Sequence, residues 1–342
     1  MNTFGRKFRV SIFGESHGEQ IGVVIDGVPA GLELTEDDFI NDIARRKSGA
    51  KGTTPRIEAD KPKIVSGVYE GHTTGAPLTI LFANTNTRST DYSAFADMPR
   101  PGHADLVAAM KWDECNDPRG GGHFSGRITL PVVAAGVVAK MILSESTILD
   151  ETPMGQDPIH ARVVELGGIP NEIEEGICKD CQTVLEEAIK AGDSLGAVVE
   201  CVVPSVGIGY GEPFWDSVES VISHAVFSIP GVRGIEFGDG FDAARMTGSE
   251  HNDPIGIDGI PIKNGAGGVN GGITNGAPIV FRVAFKPTSS ISAPQKTLNL
   301  STGEIDTLKI VGRHDACFAL RTPVIVEAMT AIALADLVLL KQ

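Results

Sequence analysis

A glycine-rich segment, Arg119-Gly-Gly-Gly-His-Phe-Ser-Gly-Arg127, carries the strongest chemical signal in this sequence. Three consecutive glycines leave backbone amides that a ligand can approach closely, at a cost in conformational order. The arginines at both ends add donors and positive charge, which suit a phosphate or a carboxylate. A helical pattern follows from Thr129 to Leu143, and helix N-termini also favour anions. The segment predicts an anion site, with a plain glycine turn flanked by solvated arginines as the alternative.

Three histidines, His17, His103 and His314, each lie within two residues of a glycine and of an acidic or arginine residue. Histidine titrates near neutral pH and suits proton transfer to a leaving group or a reduced cofactor. Any one of them could equally be a hydrogen-bonding turn residue, but the recurring pattern favours a functional set. No HxxxH, HExxH or Cys/His cluster occurs, so we predict no metal centre.

The charge distribution indicates a small anionic ligand. A formal net charge of −15 over 342 residues argues against nucleic acid or an anionic membrane as partners. Several arginines nevertheless gather in turn-like segments, where they can focus a positive field into one cleft. These are Arg45, Arg46, Arg100, Arg119, Arg127 and Arg313. For Arg45 and Arg46 the alternative is a structural role at the C-terminus of a helix that begins near Thr35, where the helix dipole favours cations.

Composition predicts a globular cytoplasmic protein. Hydrophobic residues make up 42% of the chain, the five cysteines are an odd number, and no basic, apolar leader opens the sequence. The longest apolar stretch, Pro323 to Leu340, includes Glu327 and Asp336, which favours a buried helix over a membrane span. Cys178 and Cys181 form a CxxC motif without an evident thioredoxin-like turn or further zinc ligands, so we expect no function there.

The glycine tracts do not match nucleotide-binding fingerprints. The second tract, residues 264–276, precedes a strand, whereas GxGxxG should precede a helix, and no GK[ST] occurs. A dinucleotide-dependent dehydrogenase and a P-loop NTPase are therefore disfavoured.

A weak internal sequence repeat predicts how the chain is organised. Asp117, Arg127 and Pro131 precede one alanine-rich helix, and residues 315, 321 and 323 repeat the same three types before another. Two similar halves would then place their helices together in the middle, with strands outside. We expect a single domain over residues 1–342, with the polar, proline-bearing residues 145–182 as a surface excursion.

Six ordered motifs resemble the chorismate synthase family, and the similarity runs from Phe8 to Leu340. They are GESHG at 14–18, RPGHAD at 100–105, RGGGHFSGR at 119–127, GGITNG at 271–276, KPTSS at 286–290 and GRHD at 312–315. The resemblance implies an α+β fold, a four-layer β-α-α-β sandwich with an internal repeat, and a homotetramer. It also implies a lyase that converts 5-enolpyruvylshikimate 3-phosphate to chorismate by anti-1,4-elimination of the 3-phosphate and a C6 proton. Such enzymes require reduced FMN although the reaction is redox-neutral.

The resemblance also implies roles for individual residues. His17 would protonate the departing phosphate, His103 would interact with the reduced flavin near N1 and O2, and Asp315 would assist C6 deprotonation near N5. The implied substrate-binding residues are Arg45, Arg46, Arg127 and Arg313. The implied flavin contacts are His123, Phe124, Ser125, Gly271, Lys286, Pro287, Thr288, Ser289, Ser290 and Arg313, with Pro230 and Gly231 aligned less securely.

Two departures from the family pattern bear on ligand binding. The usual GGGRSSARET loop has His123, Phe124, Gly126 and Ile128 in place of Arg, Ser, Ala and Glu, and Lys47 replaces the last of three arginines. Arginine and lysine are not interchangeable at bidentate sites, so we expect no bidentate contact from Lys47. His123 should make the flavin pocket less positive at neutral pH, so we expect weaker FMN binding than in a relative with arginine at this position.

The source of reduced flavin is the remaining question for the sequence. Some family members reduce their flavin with NADPH, but no additional nucleotide site is evident here, so we expect an external flavin reductase. Two other functions remain open: a flavin-independent enzyme or binder of small phosphorylated acids, and a non-catalytic flavoprotein that kept the cleft.

Overall fold

The computed structural model describes residues 2–56, 58–86, 95–145, 159–204, 206–312 and 314–341. In chain order the strands are β1 (Thr3–Phe4), β2 (Arg9–Gly14), β3 (Gln20–Asp26), β4 (Lys63–Ser66), β5 (Val68–Tyr69), β6 (His72–Thr73), β7 (Leu78–Ala83), β8 (His160–Leu166), β9 (Ile169–Pro170), β10 (Ala197–Val203), β11 (Val232–Phe237), β12 (Val269–Asn270), β13 (Ile273–Thr274), β14 (Ile279–Phe285), β15 (Gln295–Leu298) and β16 (Ile305–Leu308). The α-helices are α1 (Ile40–Arg46), α2 (Asp105–Lys111), α3 (Thr129–Glu145), α4 (Lys179–Ala191), α5 (Val218–Val226), α6 (Gly248–His251) and α7 (Pro323–Lys341). Short 3₁₀ turns occupy Glu36–Phe39, Arg119–Phe124, Gly126–Ile128, Phe214–Asp216, Gly240–Arg245 and Phe318–Arg321.

Two five-stranded antiparallel sheets give the protein its mixed α+β fold. The first has the order β1-β2-β3-β7-β4 and the second the order β11-β14-β10-β8-β9. In β10 every second side chain is buried, namely Ala197, Val199, Cys201 and Val203. This period of two is expected of a strand with one face on the core.

The two long apolar helices pack against each other and against different sheets. Helix α3 contacts β2, β3 and β7, whereas α7 contacts β8 and β10. A Cβ on Gly136 of α3 would lie 2.3 Å from Cβ of Ala328 on α7, so the close helix contact requires glycine there. Both helices are long and apolar enough to cross a membrane, but 83% and 78% of their apolar windows are buried in the protein. They are core helices, as the sequence predicted for residues 323–340.

The two acidic residues of α7 have buried partners. Oδ1 of Asp336 accepts the backbone N–H groups of Arg6, Lys7 and Phe8 at 2.6–2.9 Å. Glu327 accepts the backbone N–H of Ala161 at 2.9 Å. Buried carboxylates are tolerated when they are hydrogen-bonded in this way, so these two residues tie α7 to the N-terminal segment and to β8.

One sequence-based expectation is wrong for residues 160–166. The segment 145–182 was expected to be a surface excursion, yet β8 is an interior strand of the second sheet, paired with β10 and β9. Its residues Ala161, Val163 and Leu166 are buried in the core. The polar residues that suggested an excursion are those facing outward from the strand and those in the loops beside it. Residues 146–158 lie outside the described part of the chain.

Candidate functional site

A cavity of about 510 Å³ lies where several loops from distant parts of the sequence meet. Among the described residues, eight cationic side chains line it: Arg46, Lys47, Arg56, Arg100, Arg127, Arg233, Lys286 and Arg321. Three carboxylates also line it: Glu58, Asp60 and Asp315. The surplus of cations gives the cavity the electrostatic character of a polyanion site, although the whole chain is acidic.

The glycine loop forms one wall of this cavity and adopts a backbone that only glycine takes readily. Gly120, Gly121 and Gly122 have φ values of 63°, 81° and 53°, in the region that disfavours other residues. A Cβ on Gly120 would lie 2.6 Å from Nε2 of His17, and one on Gly121 would lie 3.5 Å from Nε2 of His103. The loop therefore brings the two predicted catalytic histidines to neighbouring positions, one against each glycine.

Arg46 and Arg127 converge on one buried carboxylate, Asp60. The Arg46–Asp60 and Arg127–Asp60 ion pairs measure 2.9 and 2.6 Å. Burial, together with the charges of Arg321 and Arg127, lowers the pKa of Arg46 to about 10, although the charge of Asp60 opposes the shift. Burial would raise the pKa of Asp60, but Arg46 and Arg127 outweigh it and hold that pKa below its usual value. Asp60 also has φ of 52°, a strained backbone of the kind that clusters at functional sites.

Asp315 lies in the same cavity and is held from two sides. Its Oδ1 accepts the backbone N–H of Thr54 at 2.8 Å, and its Oδ2 accepts from Nη2 of Arg321 at 2.8 Å. The guanidinium of Arg321 also stacks over the ring of Phe318, with 5.2 Å to the centroid. These contacts fix the carboxylate at the cavity wall.

Two arginine donors in this cavity are buried without a protein acceptor. Nε of Arg46 and Nε of Arg321 have no hydrogen-bond partner within the described part of the chain, and the same holds for Oγ1 of Thr288. A buried unsatisfied donor is costly and calls for an explanation. An anionic ligand that accepts from both guanidinium groups would satisfy them.

His103 belongs to a hydrogen-bonded cluster on another wall. Its Nδ1 lies 2.6 Å from Oδ1 of Asp105, which also accepts from Arg100 at 2.7 Å. Burial would raise the pKa of Asp105, but hydrogen bonds from Arg100 and His103 hold it well below its usual range. Nη1 of Arg100 donates to Oγ of Ser290 at 2.9 Å. The cluster thereby joins the 100–105 segment to the 286–290 segment.

The 286–290 segment closes this wall with a short chain of polar contacts. Nζ of Lys286 donates to Oγ of Ser289 at 2.6 Å, and that hydroxyl donates to the carbonyl oxygen of Gly102 at 2.7 Å. Burial, with the charge of Arg233, lowers the pKa of Lys286. A hydroxyl, an ammonium group and the exposed ring of Phe124 thus face the same cavity.

Most of the residues singled out in the sequence meet at this cavity. Those that line it are Arg46, Arg100, His103, Phe124, Ser125, Arg127, Pro230, Gly231, Lys286, Pro287, Thr288, Ser289, Ser290, His314 and Asp315. His17 packs on Gly120, which lines it. Arg313 lies outside the described residues.

Three of the predicted residues are placed elsewhere. Arg45 donates to the buried Glu327 of α7 at 2.6 and 2.7 Å, a structural contact of the kind that the sequence left open. Gly271 lies in the β12–β13 turn and does not line the cavity. Nδ1 of His123 lies 2.9 Å from the carbonyl oxygen of Gly14, and the ring does not line the cavity either.

Sequence reasoning missed five charged residues of this site: Arg233 of β11, Arg321, and Arg56, Glu58 and Asp60 of the 48–60 loop. Nη2 of Arg56 pairs with Glu58 at 2.8 Å, and its Nη1 donates to Oγ of Ser16 at 3.3 Å. For Arg321 a signal existed, since it repeats the place of Arg127 before a proline and an apolar helix. The 48–60 loop carries no motif, so nothing marked its three residues of the site.

Comparisons with known proteins agree with this geometry. A family model described as "Chorismate synthase" matches residues 8–339. A curated "Chorismate synthase" from Chitinophaga pinensis is 57% identical over 100% of this chain and 98% of its own length. Another, from Dehalococcoides mccartyi, is 44% identical over 99% of this chain and 96% of its own.

A solved structure is similar over almost the whole chain. It is titled "Crystal Structure of Chorismate Synthase" and superposes with a TM-score of 0.74 at 29% identity, over 99% of this chain and 93% of that one. The match of fold, the 57% identity and the family model together establish the relationship. The chain belongs to the chorismate synthase family of carbon–oxygen lyases.

Proposed function

We propose that this protein converts 5-enolpyruvylshikimate 3-phosphate to chorismate, with loss of phosphate, in a site that requires reduced FMN. The observation that carries the proposal is the pair of buried, unpartnered Nε donors on Arg46 and Arg321, in the cavity that also holds His103 and Asp315. Such donors fit a ligand with several anionic groups.

The substrate presents one phosphate and two carboxylates, and the cavity has the charge to bind them. Asp60 neutralises only part of the charge of Arg46 and Arg127, because one carboxylate faces two guanidinium groups. Arg321 is likewise shared with Asp315. Arg46, Arg127 and Arg321 are buried, and buried charges act more strongly than charges at the surface. They hold the phosphate and stabilise the charge that it gains as its bond to carbon breaks.

The donor set also fits FMN, which has a phosphate and a flat aromatic ring system. Lys286 and the hydroxyls of Thr288 and Ser289 would hold it, with Phe124 against the ring. Bound reduced flavin supplies electron density that eases phosphate departure and then takes part in proton removal. The expected weakening of FMN binding by His123 stays a prediction.

Three side chains would manage the protons. His17, fixed against Gly120, donates a proton to the departing phosphate. His103 is engaged by Asp105 at Nδ1, so Nε2 is the ring nitrogen that would face the cofactor. Asp315, paired with Arg321, assists removal of the C6 proton.

We further propose the four-layer β-α-α-β arrangement with its internal repeat, within a single domain. It is supported by α3 packing on the first sheet, α7 on the second, and the two helices on each other. A homotetramer is supported by large exposed apolar side chains between residues 208 and 262, including Phe214, Trp215 and Phe241. A cytoplasmic location and an external flavin reductase complete the proposal. NADPH and FMN, without a reductase, should therefore not sustain turnover of the enzyme in air.

An anaerobic assay with photoreduced FMN separates the candidate functions. Product that forms only with reduced flavin supports the proposed lyase. Turnover without flavin would indicate a flavin-independent enzyme of phosphorylated acids. Tight binding of flavin and substrate without product would indicate a non-catalytic flavoprotein.

A further inference from the structure

Cys178 and Cys181 take a geometry that the sequence did not reveal. Cys178 is the N-cap residue of α4, and its sulfur accepts the backbone N–H of Cys181 at 3.4 Å. The chain reaches this point from strand β9 through a loop. A strand followed by a helix with the first cysteine at its N-terminus is the setting of a redox-active CxxC motif, and its apparent absence was the reason to expect no function here.

The two thiols converge on one backbone carbonyl. Sγ of Cys178 and Sγ of Cys181 each lie 3.7 Å from the carbonyl oxygen of Pro170. Cys178 is partly exposed, whereas Cys181 is buried. The accessible thiol can therefore react first with an external disulfide. The buried thiol three residues later can then attack the mixed disulfide and complete the exchange.

The surroundings make the two thiols chemically unequal. Hydrogen bonds from the backbone N–H and the thiol of Cys181 lower the pKa of Cys178, and partial desolvation and the charge of Asp180 oppose them only in part. Burial, together with Cys178, raises the pKa of Cys181 to about 11. Since the thiolate is the nucleophile, Cys178 is the attacking residue and Cys181 stays a thiol until the second step.

We propose that Cys178 and Cys181 form a redox-active dithiol that exchanges with external disulfides, independently of the elimination cavity. The Cys178 thiolate attacks a disulfide, forms a mixed disulfide and releases one thiolate. Cys181 then gives up its proton, attacks Sγ of Cys178 and expels the second thiolate. The protein dithiol is oxidised by two electrons to an intramolecular disulfide, the external disulfide is reduced to two thiols, and the two protons end on those thiols.

The charge around the pair selects the kind of disulfide. The loop before α4 carries three exposed glutamates, Glu172, Glu174 and Glu175. Asn171 closes this loop onto the pair, because its Oδ1 accepts the backbone N–H of Cys178 at 2.8 Å. A negative surface repels anionic disulfides and attracts cationic ones. The partner chemistry is therefore a cationic disulfide.

The proposal is tested by mass spectrometry of the reduced full-length protein after mixing with one of two disulfides. Cystamine is a dicationic disulfide, and oxidised glutathione is an anionic one. We expect the protein to lose two hydrogens as residues 178 and 181 become linked by a disulfide, with no lasting mixed disulfide. The reaction should be faster with cystamine than with oxidised glutathione. Initial modification at Cys178 should be roughly tenfold faster than at Cys115, an exposed cysteine outside any motif.

Two variants keep each step testable. Cys181→Ser should accumulate the mixed disulfide at Cys178, and Cys178→Ser should leave Cys181 unmodified. A lasting mixed disulfide in the wild type, or equal rates at Cys115 and Cys178, would overturn the dithiol. A faster reaction with oxidised glutathione would overturn the preference for a cationic partner.

Discussion

The carboxylate of Asp105 lies 2.6 Å from Nδ1 of His103 and at the same time accepts hydrogen bonds from Arg100. The contact makes Nδ1 the donor and leaves Nε2 on the side of Gly121, at the cavity. Asp105 thus orients the imidazole, as carboxylates do when they pair with catalytic histidines.

Replacing Asp105 by asparagine should slow the reaction without removing the site. Asp105→Asn keeps the shape of the side chain but removes the carboxylate that pairs with both His103 and Arg100. We expect kcat to fall roughly 100-fold, with a smaller change in KM, because His103 loses the partner that orients it. Asp306→Asn, at an exposed aspartate of β16, is the control. A wild-type kcat in Asp105→Asn would show that the contact does not position His103 for chemistry.

Gly120→Ala should displace His17 and reduce activity. The added Cβ would meet Nε2 of His17 at 2.6 Å, and φ at this position is 63°. Gly303→Ala provides the control, because φ is 73° there but nothing lies within 4 Å of the added Cβ. Each variant should lose about 1 kcal/mol of stability from backbone strain. Only Gly120→Ala should also slow phosphate release, by roughly 10-fold or more, because it displaces an acid catalyst. Equal activities in the two variants would contradict the placement of His17.

Removing the charge of Asp60 should destabilise the fold in a pH-dependent manner. Asp60→Asn leaves the buried Arg46 and Arg127 without their carboxylate, which should cost about 3–5 kcal/mol in unfolding free energy near neutral pH. Because the folded-state pKa of Asp60 is lowered, its contribution is fully present above its unfolded value of about 3.9 and is lost as pH falls through the folded value. Urea unfolding between neutral and acidic pH should therefore show the two curves converging in acid. Parallel curves would contradict the pairing.

Adjacent arginines on α1 should behave differently when each is changed to methionine. Arg45 contacts the buried Glu327, so Arg45→Met should lower stability by about 1–3 kcal/mol and leave KM nearly unchanged. Arg46 lines the cavity with a free Nε, so Arg46→Met should raise KM for the substrate. Steady-state kinetics and urea unfolding of both variants separate the roles. A large rise in KM for Arg45→Met would restore the substrate role that the family resemblance implies.

Local patterns in the sequence predicted many of the elements of the fold. The helical pattern of α3, the apolar stretch of α7 and the helix start at Thr35, whose backbone N–H donates to Asp38 at 2.7 Å, depend on neighbouring residues and follow from periodicity and capping. The segment 160–166 was missed because β8 alternates buried and exposed residues beside polar loops, and only its pairing with β10 shows it to be a strand of the core.

The site was predictable only where its residues carry motifs. His17, His103 and Arg127 stand in distinctive segments, whereas Asp60 is an ordinary loop residue whose role comes from two arginines brought to it from 14 and 67 positions away along the chain. Arg45 and Arg46 are adjacent in sequence, yet they point to different partners because successive helical residues do not share a face.

Phosphate release under strict anaerobiosis, in a single turnover with photoreduced FMN and 5-enolpyruvylshikimate 3-phosphate, tests the central claim most directly. The wild type should release phosphate and form chorismate only when the flavin is reduced. His17→Ala and Asp315→Ala should each slow release by roughly 100-fold or more while their circular dichroism spectra and unfolding transitions stay those of a folded protein. Release at the wild-type rate in both variants, or release without flavin, would contradict the account.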